Sequence, residues 1–403
     1  MTAQPAKGHW VTRGVLGIVL ATFLSDFGHE MATATLPMYL VAVGATAAAL
    51  GFIEGLADLL YSLSKFAGGW VGHHVRRKRP LATLGFVVTA LGTAAIALTQ
   101  SVAAMASARS AAWVGRGFRG PLRDFMLADE VEPRYFGRAY GVERAADMLG
   151  AVAGPLVAAL LIWQGVDFRT VILLSIIPAT LAAASFFSMT RDRLAAASEP
   201  VVKPASRRLP GKFWLFTAGV GIFGVGDFSR TFLIFLAAAA FGEASGSAPG
   251  AISLAVLLYA AHNVISALAA YPAGWLGDRR PKVYVLILGY GLGVATNVML
   301  ALSHGLTGLL VGAIALSGIY IAIQETIEKA AVAEMLPQDQ RSLGLGVLAT
   351  ANAVGDMISS IGVGLLLAAG FMKGAFLVPA AFGAAGTLWM IAFARRLRPG
   401  AAV

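Results

Sequence analysis

The chain has 403 residues, of which 58% are hydrophobic and only 13% are charged, whereas a soluble domain carries about 25% charged residues. A soluble fold cannot bury that much apolar surface, and several apolar runs exceed the roughly 20 residues that cross a bilayer. The net charge of +10 does not indicate a nucleic-acid partner, because the basic residues separate apolar segments and form no basic face on a soluble module. Cysteine is absent, which excludes a disulfide framework, a thiol nucleophile and a thiolate metal site.

Apolar runs between charged or Gly/Pro-rich breaks predict an all-α membrane protein with about twelve spans. The first run is too long for a signal-peptide core and is predicted to be a retained span. The predicted spans are 14–43, 47–70, 80–100, 104–129, 139–163, 167–188, 212–241, 249–276, 282–302, 305–332, 341–369 and 373–393.

The stretch 189–211 is the one long polar interruption and contains prolines and several basic residues. It predicts an N-terminal six-helix bundle over 1–188, a cytoplasmic linker over 189–211, and a C-terminal six-helix bundle with a short cytoplasmic tail over 212–403. Lysines and arginines in short loops stay on the cytoplasmic side. With both termini inside, the opposite side collects only Arg109, Arg169 and Lys373. We therefore expect a multi-pass protein of a bacterial inner membrane with cytoplasmic termini.

An internal repeat supports the division into two halves. Gly69-Trp70-Val71-Gly72 recurs as Gly274-Trp275-Leu276-Gly277, a shift of 205 residues from position 69 to position 274. The same shift pairs Asp58 with Asn263, Arg119 with Gln324, Arg123 with Glu328, Asp147 with Asn352 and Gly150 with Gly355. Asp26 has a counterpart in Asp227 at a slightly different shift. Such repeats are typical of transporter folds.

The loop after the second span, 69–79, resembles the Gly-x-x-x-Asp-Arg-x-Gly-Arg-Arg cytoplasmic signature of the major facilitator superfamily. His73 replaces the usual aspartate there, while the second copy, 274–282, keeps the acid as Asp278. The resemblance implies that Asp278 and Arg279 help to hold the cytoplasmic gate shut, with His73 and Arg77 at the corresponding place in the first half.

Two further segments resemble motifs of the same superfamily. In span four, Arg116 to Gly120 resembles an Arg-x-x-x-Gly motif whose arginine is tied to proton coupling in many members. In span five, Gly150, Gly154 and Pro155 resemble the Gly-x-x-x-Gly-Pro motif associated with antiporters, where small residues let helices approach closely. The resemblance implies twelve transmembrane helices in two pseudo-symmetric six-helix bundles, and it favours proton-coupled export. The blocks 25–30 and 116–124 also look like those of a bacterial subgroup of transporters, which fixes no single substrate.

Ionisable residues inside the spans are costly and usually face a cavity or a partner. On span one, Asp26, His29 and Glu30 share a helical face, and spans two and four carry similar stripes. A carboxylate shielded from water near a movable arginine can exchange protons in the physiological range. The residues predicted to couple protons or bind substrate are Asp26, Glu30, Glu54, Asp58, Arg116 and Arg119; the alternative is a static buried ion pair.

Other charged residues lie nearer the cytoplasmic ends of spans four and five and predict a gate network. These are Arg123, Asp124, Glu143, Arg144 and Asp147. The second half exchanges some charge for hydrogen-bonding groups, which suits a division of labour with protons handled mainly by the first half. Its predicted cavity residues are Asp227, Arg230, His262, Asn263, Gln324, Glu328 and Asn352.

These patterns predict a secondary active transporter that exports a drug-like or metabolite molecule in exchange for protons. The alternatives are a divalent metal-ion exporter, since Asp26, His29, Glu30 and His262 are possible donors, and a proton-coupled uptake symporter. An ATP-binding signature, a channel-like ring of charges and an intramembrane nucleophile with its base are all absent from the sequence. We expect no enzymatic activity, no cofactor beyond a proton gradient, no resident metal, and a monomer in the lipid bilayer.

Overall fold

The computed structural model describes residues 10–42, 47–192, 208–228, 232–233, 236–237 and 248–396. The regular elements in these ranges are helical, and a short 3-10 turn, Pro133–Tyr135, precedes α5. The helices are α1 Arg13–Ala42, α2 Ala47–His74, α3 Lys78–Ile96, α4 Val102–Glu130, α5 Phe136–Trp163, α6 Phe168–Leu174, α7 Ile176–Met189, α8 Gly211–Gly224, α9 Ala248–Arg279, α10 Lys282–Leu302, α11 Thr307–Met335, α12 Gln338–Ala368 and α13 Met372–Arg396.

The predicted all-α membrane fold is confirmed, with twelve membrane-crossing segments in two six-helix bundles. In the described part of the chain, eight segments are long and apolar enough to cross a bilayer by length and composition alone. Helix α4 is outside that set because Arg109, Arg116, Arg119 and Arg123 lower its hydropathy. A crossing helix with four arginines needs partners inside the protein.

The two halves repeat the same packing pattern. In the first half α5 packs on α1, and α4 packs on both α2 and α3. In the second half α12 packs on α8, and α11 packs on both α9 and α10. The halves meet along two seams, α2 against α12 and α5 against α9. The repeat found in the sequence therefore corresponds to equivalent helix pairs in space.

Both seams close tightly at one end of the bundle, which we call the basic end. It carries the short loops at 75–77, 190–192 and 280–281, where arginines are frequent. A Cβ added at Gly274 would collide with the carbonyl group of Gly137, and one added at Gly69 would lie 2.7 Å from the Cα atom of Gly346. Glycine at these crossings allows backbone to approach backbone, so the two halves touch directly at the basic end.

Span six, expected as one helix over 167–188, is divided at Ser175 into α6 and α7. Pro178 has no N–H to donate to the carbonyl group four residues earlier, which interrupts the helical hydrogen-bond pattern there. The Ser175 hydroxyl donates to the Ile172 carbonyl oxygen at 2.6 Å and satisfies part of the break.

Span seven, predicted over 212–241, also contains a break, because α8 ends at Gly224 and the chain turns at 225–226. Gly226 packs so closely on α13 that an added Cβ would lie 2.6 Å from both the Gly383 nitrogen and the Pro379 carbonyl oxygen. The freed Gly226 carbonyl accepts a hydrogen bond from Asn297 Nδ2 at 2.8 Å. Irregular backbone at membrane depth needs such a partner.

Arg109 is one of the three basic residues that the sequence places toward the non-cytoplasmic side, and it falls inside the predicted span 104–129. Arg109 lies within α4 and is 1% exposed. Its Nη1 donates to the Thr33 hydroxyl at 3.0 Å, and its guanidinium lies 5.1 Å from the Trp113 ring centroid. The predicted span already included this residue, and the structure adds its buried contacts.

Candidate functional site

The glycines of the antiporter-like motif bring α5 against α1. A Cβ added at Gly150 would lie 2.6 Å from the Phe23 carbonyl oxygen and 3.0 Å from the Asp26 Cβ. At Gly154 an added Cβ would lie 2.5 Å from the Phe27 carbonyl oxygen. Side chains at these two positions would separate the helices, so the motif sets the distance between Asp26 and the polar face of α5.

Five charged residues form a continuous series from the first half into the second, which we call the charge chain: Asp26, Arg116, Asp147, Arg144 and Glu325. Arg116 forms an ion pair with Asp26, and its Nη2 lies 4.0 Å from Asp147 Oδ1. Arg144 Nη1 lies 2.6 Å from Asp147 Oδ2 and 2.7 Å from Glu325 Oε2. Because Glu325 belongs to α11, Arg144 links the two halves.

A second group, the Lys329 network, lies closer to the basic end and consists of Arg123, Asp124, Glu143 and Lys329. Arg123 Nη2 is 2.7 Å from Glu143 Oε1 and 2.9 Å from Asp124 Oδ1. Lys329, on α11, approaches Asp124 Oδ2 at 3.4 Å and Glu143 Oε2 at 3.5 Å. This network also joins the halves, and it contains three of the residues that the sequence assigned to a gate.

The two arginines of span four that were predicted to act together point to different partners. Arg119 is 2% exposed and donates to the Thr89 hydroxyl at 2.9 Å and to the Ser25 hydroxyl at 2.6 Å. Its guanidinium lies 4.0 Å from the centroid of the Phe86 ring, a cation–π contact. Arg119 thus ties α4 to α1 and α3, whereas Arg116 belongs to the charge chain.

Trp113, which sequence reasoning missed, lies at the centre of an aromatic group in the first half. The His29 and Tyr61 rings approach it edge-on, with centroids at 4.7 and 4.8 Å. The Arg116 guanidinium lies 5.6 Å from the same ring. Trp113 is one turn before Arg116 on the same helical face, and that spacing was the available signal.

Polar groups in the second half are arranged around tyrosines. Tyr290 Oη and Asn352 Nδ2 each donate to the Glu328 carboxylate at 2.6 Å. Tyr320 Oη donates to Asp227 Oδ1 at 2.8 Å, and His262 Nδ1 lies 3.2 Å from Asn263 Oδ1. Gln324 is buried one turn before Glu328. The sequence indicated the carboxylates and amides, but Tyr290 and Tyr320 have no polar counterpart in the first half that would have drawn attention to them.

The predicted gate motif lies on the seam between α5 and α9. Asp278 accepts hydrogen bonds from the Gly137 backbone N–H at 2.7 Å, the Arg138 backbone N–H at 3.0 Å and Arg138 Nε at 2.8 Å. A carboxylate at the start of a helix is stabilised by the helix dipole and the free N–H groups. Asp278 therefore fastens the beginning of α5 to the second half.

At the equivalent place in the first half, the ring nitrogen Nδ1 of His73 lies 2.8 Å from the Asp339 carbonyl oxygen in the first turn of α12. Arg279 stacks over the Trp275 ring at 3.9 Å, and Arg77 is exposed just before α3. His73 therefore lies on the seam between α2 and α12 and contacts a carbonyl oxygen, whereas Asp278 lies on the seam between α5 and α9 and accepts from backbone N–H groups.

Three of the remaining predicted site residues lie wholly or partly outside the described part of the structure. The side chains of Glu54 and Asp58 and the whole of Arg230 lie outside the described residues, and Glu30 is half-buried on α1 beside Gly154. Among the residues that are described, no three His, Asp or Glu side chains group as metal ligands would. Pro155 lies inside α5 directly after Gly154.

Comparison with known proteins identifies the family. The sequence model of the Major Facilitator Superfamily matches residues 18–226 and, again, 219–402. An uncharacterized MFS-type transporter of Methanocaldococcus jannaschii is 24% identical over 357 residues, which cover 88% of this chain and 89% of that protein.

Solved structures show the same fold at low sequence identity. A bacterial homologue of the iron transporter ferroportin in an outward-facing state has a TM-score of 0.73 at 15% identity, covering 95% of this chain and 100% of that chain. The fucose:proton symporter of E. coli has a TM-score of 0.71 at 15% identity, covering 94% and 98%. The chain belongs to the Major Facilitator Superfamily and is a multi-pass membrane protein of the secondary-transporter type.

Proposed function

We propose that the protein is a proton-coupled antiporter that exports a small organic molecule across a bacterial inner membrane. The observation that carries this proposal is the charge chain, which connects the interior of the first half to the second half through Arg144 and Glu325. In a transporter of this kind, the ion and the substrate must compete for the same charged residues. The charge chain supplies alternating carboxylates and arginines for that competition.

The charge chain also connects proton or substrate binding to the movement of the two halves. Protonation of Asp26 or of Asp147, or binding of a substrate to Arg116, weakens an arginine–carboxylate contact in a buried setting. Breaking one partner of a buried ion pair leaves an uncompensated charge, at a cost of about 3–5 kcal/mol. The released arginine then redistributes its contacts, and the hold of Arg144 on Glu325 weakens. The halves can separate at the basic end by that path.

The closed basic end supports one state of the proposed exchange. The basic end is the cytoplasmic side by the distribution of lysine and arginine, and the halves are in contact there. In the proposed cycle, the state that is closed at the basic end is the one from which substrate leaves to the outside and in which a proton enters. Protonation then favours reopening toward the cytoplasm, which completes an antiport cycle of alternating access. The protein acts as a monomer, with the proton gradient as its energy source.

The test is transport by the purified protein in lipid vesicles under an imposed pH gradient. A panel of organic cations, organic anions and divalent metals is offered, and a trapped pH-sensitive dye reports proton movement. We expect an organic compound to move protons in the opposite direction to itself. Proton movement in the same direction as the compound would replace antiport by the uptake symporter, and no proton movement with any compound would remove proton coupling altogether.

A divalent metal-ion exporter is the second candidate, supported by oxygen and imidazole donors on α1. His29 is 1% exposed, and its ring lies against Trp113. Within the described residues neither ring nitrogen of His29 has a hydrogen-bond partner. The divalent-metal arm of the same vesicle panel decides between the two candidates.

A further inference from the structure

Glu328 on α11 is a buried carboxylate whose partners in the described structure are uncharged. Its side chain is 1% exposed, and it accepts from Tyr290 Oη and Asn352 Nδ2 at 2.6 Å each. The Tyr290 ring is held in place by stacking on Phe223, with centroids 3.6 Å apart. In the described first half, the carboxylates inside the bundle that contact an arginine or a lysine include Asp26, Asp124, Glu143 and Asp147.

The other ionisable groups around Glu328 are committed elsewhere. Glu325 and Lys329, on the same helix, contact Arg144 and the Asp124–Glu143 pair respectively. On α9, His262 lies at the level of Gly318 and Asp278 binds the start of α5. Beyond α8, Asp227 accepts from Tyr320. The described surroundings of Glu328 therefore add further carboxylates and no cation that contacts it.

An ionised carboxylate in that environment is costly, because a buried charge is normally stabilised by an opposite charge. A protonated Glu328 carboxyl group would instead donate its O–H, and buried amide oxygens are the candidate acceptors. Asn352 Oδ1 and Gln324 Oε1 are buried, and within the described residues neither has a hydrogen-bond partner. Rotation of the Asn352 amide by half a turn would exchange its N–H donor for this oxygen. The site can thus hold Glu328 either charged, with two donors, or neutral, as a donor itself.

We propose that Glu328 is the residue of the second half that binds and releases the transported proton, with Tyr290, Asn352 and Gln324 as its positioning residues. This inference rests on the proton-coupled antiport proposed above. In the binding step a proton adds to a Glu328 oxygen. The hydrogen bond that the Asn352 amide donates to that oxygen is lost, and the new carboxyl O–H donates to an amide oxygen. Release reverses each of these changes.

The position of Glu328 also connects the proton to the seam between the halves. Glu325 lies three residues earlier on α11, on the same side of the helix, and contacts Arg144 of α5. An ionised Glu328 adds to the negative potential that attracts Arg144, and neutralising it weakens that attraction. Proton binding at Glu328 therefore favours separation of α5 from α11.

The decisive experiment needs no transported compound. Infrared difference spectra of the full protein in lipid vesicles, recorded across a pH series, report the C=O stretching band of protonated carboxyl groups. We expect a titrating band in the wild type, one component of which is lost in Glu328→Gln and retained in Asp26→Asn. Tyr290→Phe should retain the band and displace its midpoint, a result that a purely structural role would not give.

Persistence of the whole titrating band in Glu328→Gln would overturn the inference, as would its loss in Asp26→Asn alone. Gln and Glu are nearly isosteric, so we expect Glu328→Gln to fold, and its thermal unfolding midpoint checks this. If Glu328→Gln does not fold, Asn352→Leu is a second variant, and it should alter the band because it removes a hydrogen-bond partner of Glu328. Proton flux separates this inference from the antiport proposal. Wild-type vesicles that move no protons would contradict antiport, whereas undiminished flux in Glu328→Gln would contradict only the role of Glu328.

Discussion

Arg144 is one of the residues whose contacts join the two halves. It binds Asp147 within its own helix and Glu325 across the seam. Replacing Arg144 by Ala leaves Glu325 without its cation across the seam, and we expect the closed state to lose about 1–3 kcal/mol relative to the opened one, less than for a fully buried pair because Glu325 is partly exposed. Cysteine labelling measures this, since the chain has no native cysteine.

Ser342, 0% exposed at the closed seam, provides the reporter position. Ser342→Cys should react slowly with a water-soluble maleimide in the otherwise unchanged protein and faster when combined with Arg144→Ala. Arg191→Cys, in an exposed loop, is the control and should react at the same rate in both backgrounds. Equal protection of Ser342→Cys with and without Arg144 would contradict the proposed role of the arginine in closure.

Asp26 tests the role of the charge chain in coupling. In Asp26→Asn the side chain keeps its shape and loses its charge, so Arg116 loses its ion-pair partner. We expect transport driven by a pH gradient to fall to near the level of protein-free vesicles. Arg119→Lys is the comparison, because Arg119 contacts hydroxyl groups and the Phe86 ring rather than a carboxylate; transport should survive there, with reduced thermal stability. Full pH-driven transport in Asp26→Asn would remove the charge chain from the mechanism.

The sequence predicted which residue types matter at this scale better than it predicted their partners. Asp26, Arg116 and Asp147 were found because an ionisable residue inside a span is costly and therefore conspicuous. The different partners of Arg119 and Arg116 could not be predicted, since two arginines three residues apart on an ideal helix lie on the same face. Tyr290 and Trp113 were missed because an aromatic residue inside a membrane helix is ordinary until its polar neighbours are known.

Among the helices, the contact of α5 with α1 is the one that the glycine motif explains. Gly154→Val would place a branched side chain against the Phe27 carbonyl group and the Met31 nitrogen. We expect α1 to be displaced, with Asp26 moved from Arg116 and pH-driven transport lost. Gly120→Ala is the matched control on α4, because an added Cβ there would meet no atom within 4 Å. Equal transport by both variants would show that the close crossing is not required.

The end of α8 gives a second prediction at this scale. Asn297→Leu removes the donor to the Gly226 carbonyl oxygen, and a buried carbonyl group without a partner costs about 1–3 kcal/mol. We expect a lower midpoint of thermal unfolding in detergent, measured by circular dichroism. Gly291→Ala on the same helix, where an added Cβ meets open space, should leave the midpoint unchanged. An unchanged midpoint in Asn297→Leu would indicate another donor for Gly226.

Helix positions were predicted within a few residues where a run of apolar residues was bounded by charges, as for α10. The breaks at Ser175 and Gly224 were not predicted, because hydropathy does not register a missing backbone donor or a close approach of two helices. Pro178 was visible in the sequence, but a proline can equally bend a continuous membrane helix. The partner that satisfies the broken backbone of α8, Asn297, comes from another helix and has no sequence spacing to reveal it.

Across the whole molecule, the internal repeat predicted the equivalence of the helix pairs, and the two seams follow from it only partly. The repeated Gly-Trp-x-Gly segments lie on both seams, yet Asp278 binds two backbone N–H groups whereas His73 contacts a carbonyl oxygen. The state of the molecule, closed at the basic end, could not be predicted, because one sequence must encode both states.

The backbone contact between Gly137 and Gly274 has a consequence for the proton coupling proposed above. Where two main chains touch directly, no column of water molecules fits between them, and a continuous file of water is what would conduct protons without any cargo. Side chains at this crossing would hold the helices apart and leave gaps of molecular size. In the antiport cycle proposed above, the two glycines would therefore also seal the basic end against proton leakage while no compound is carried.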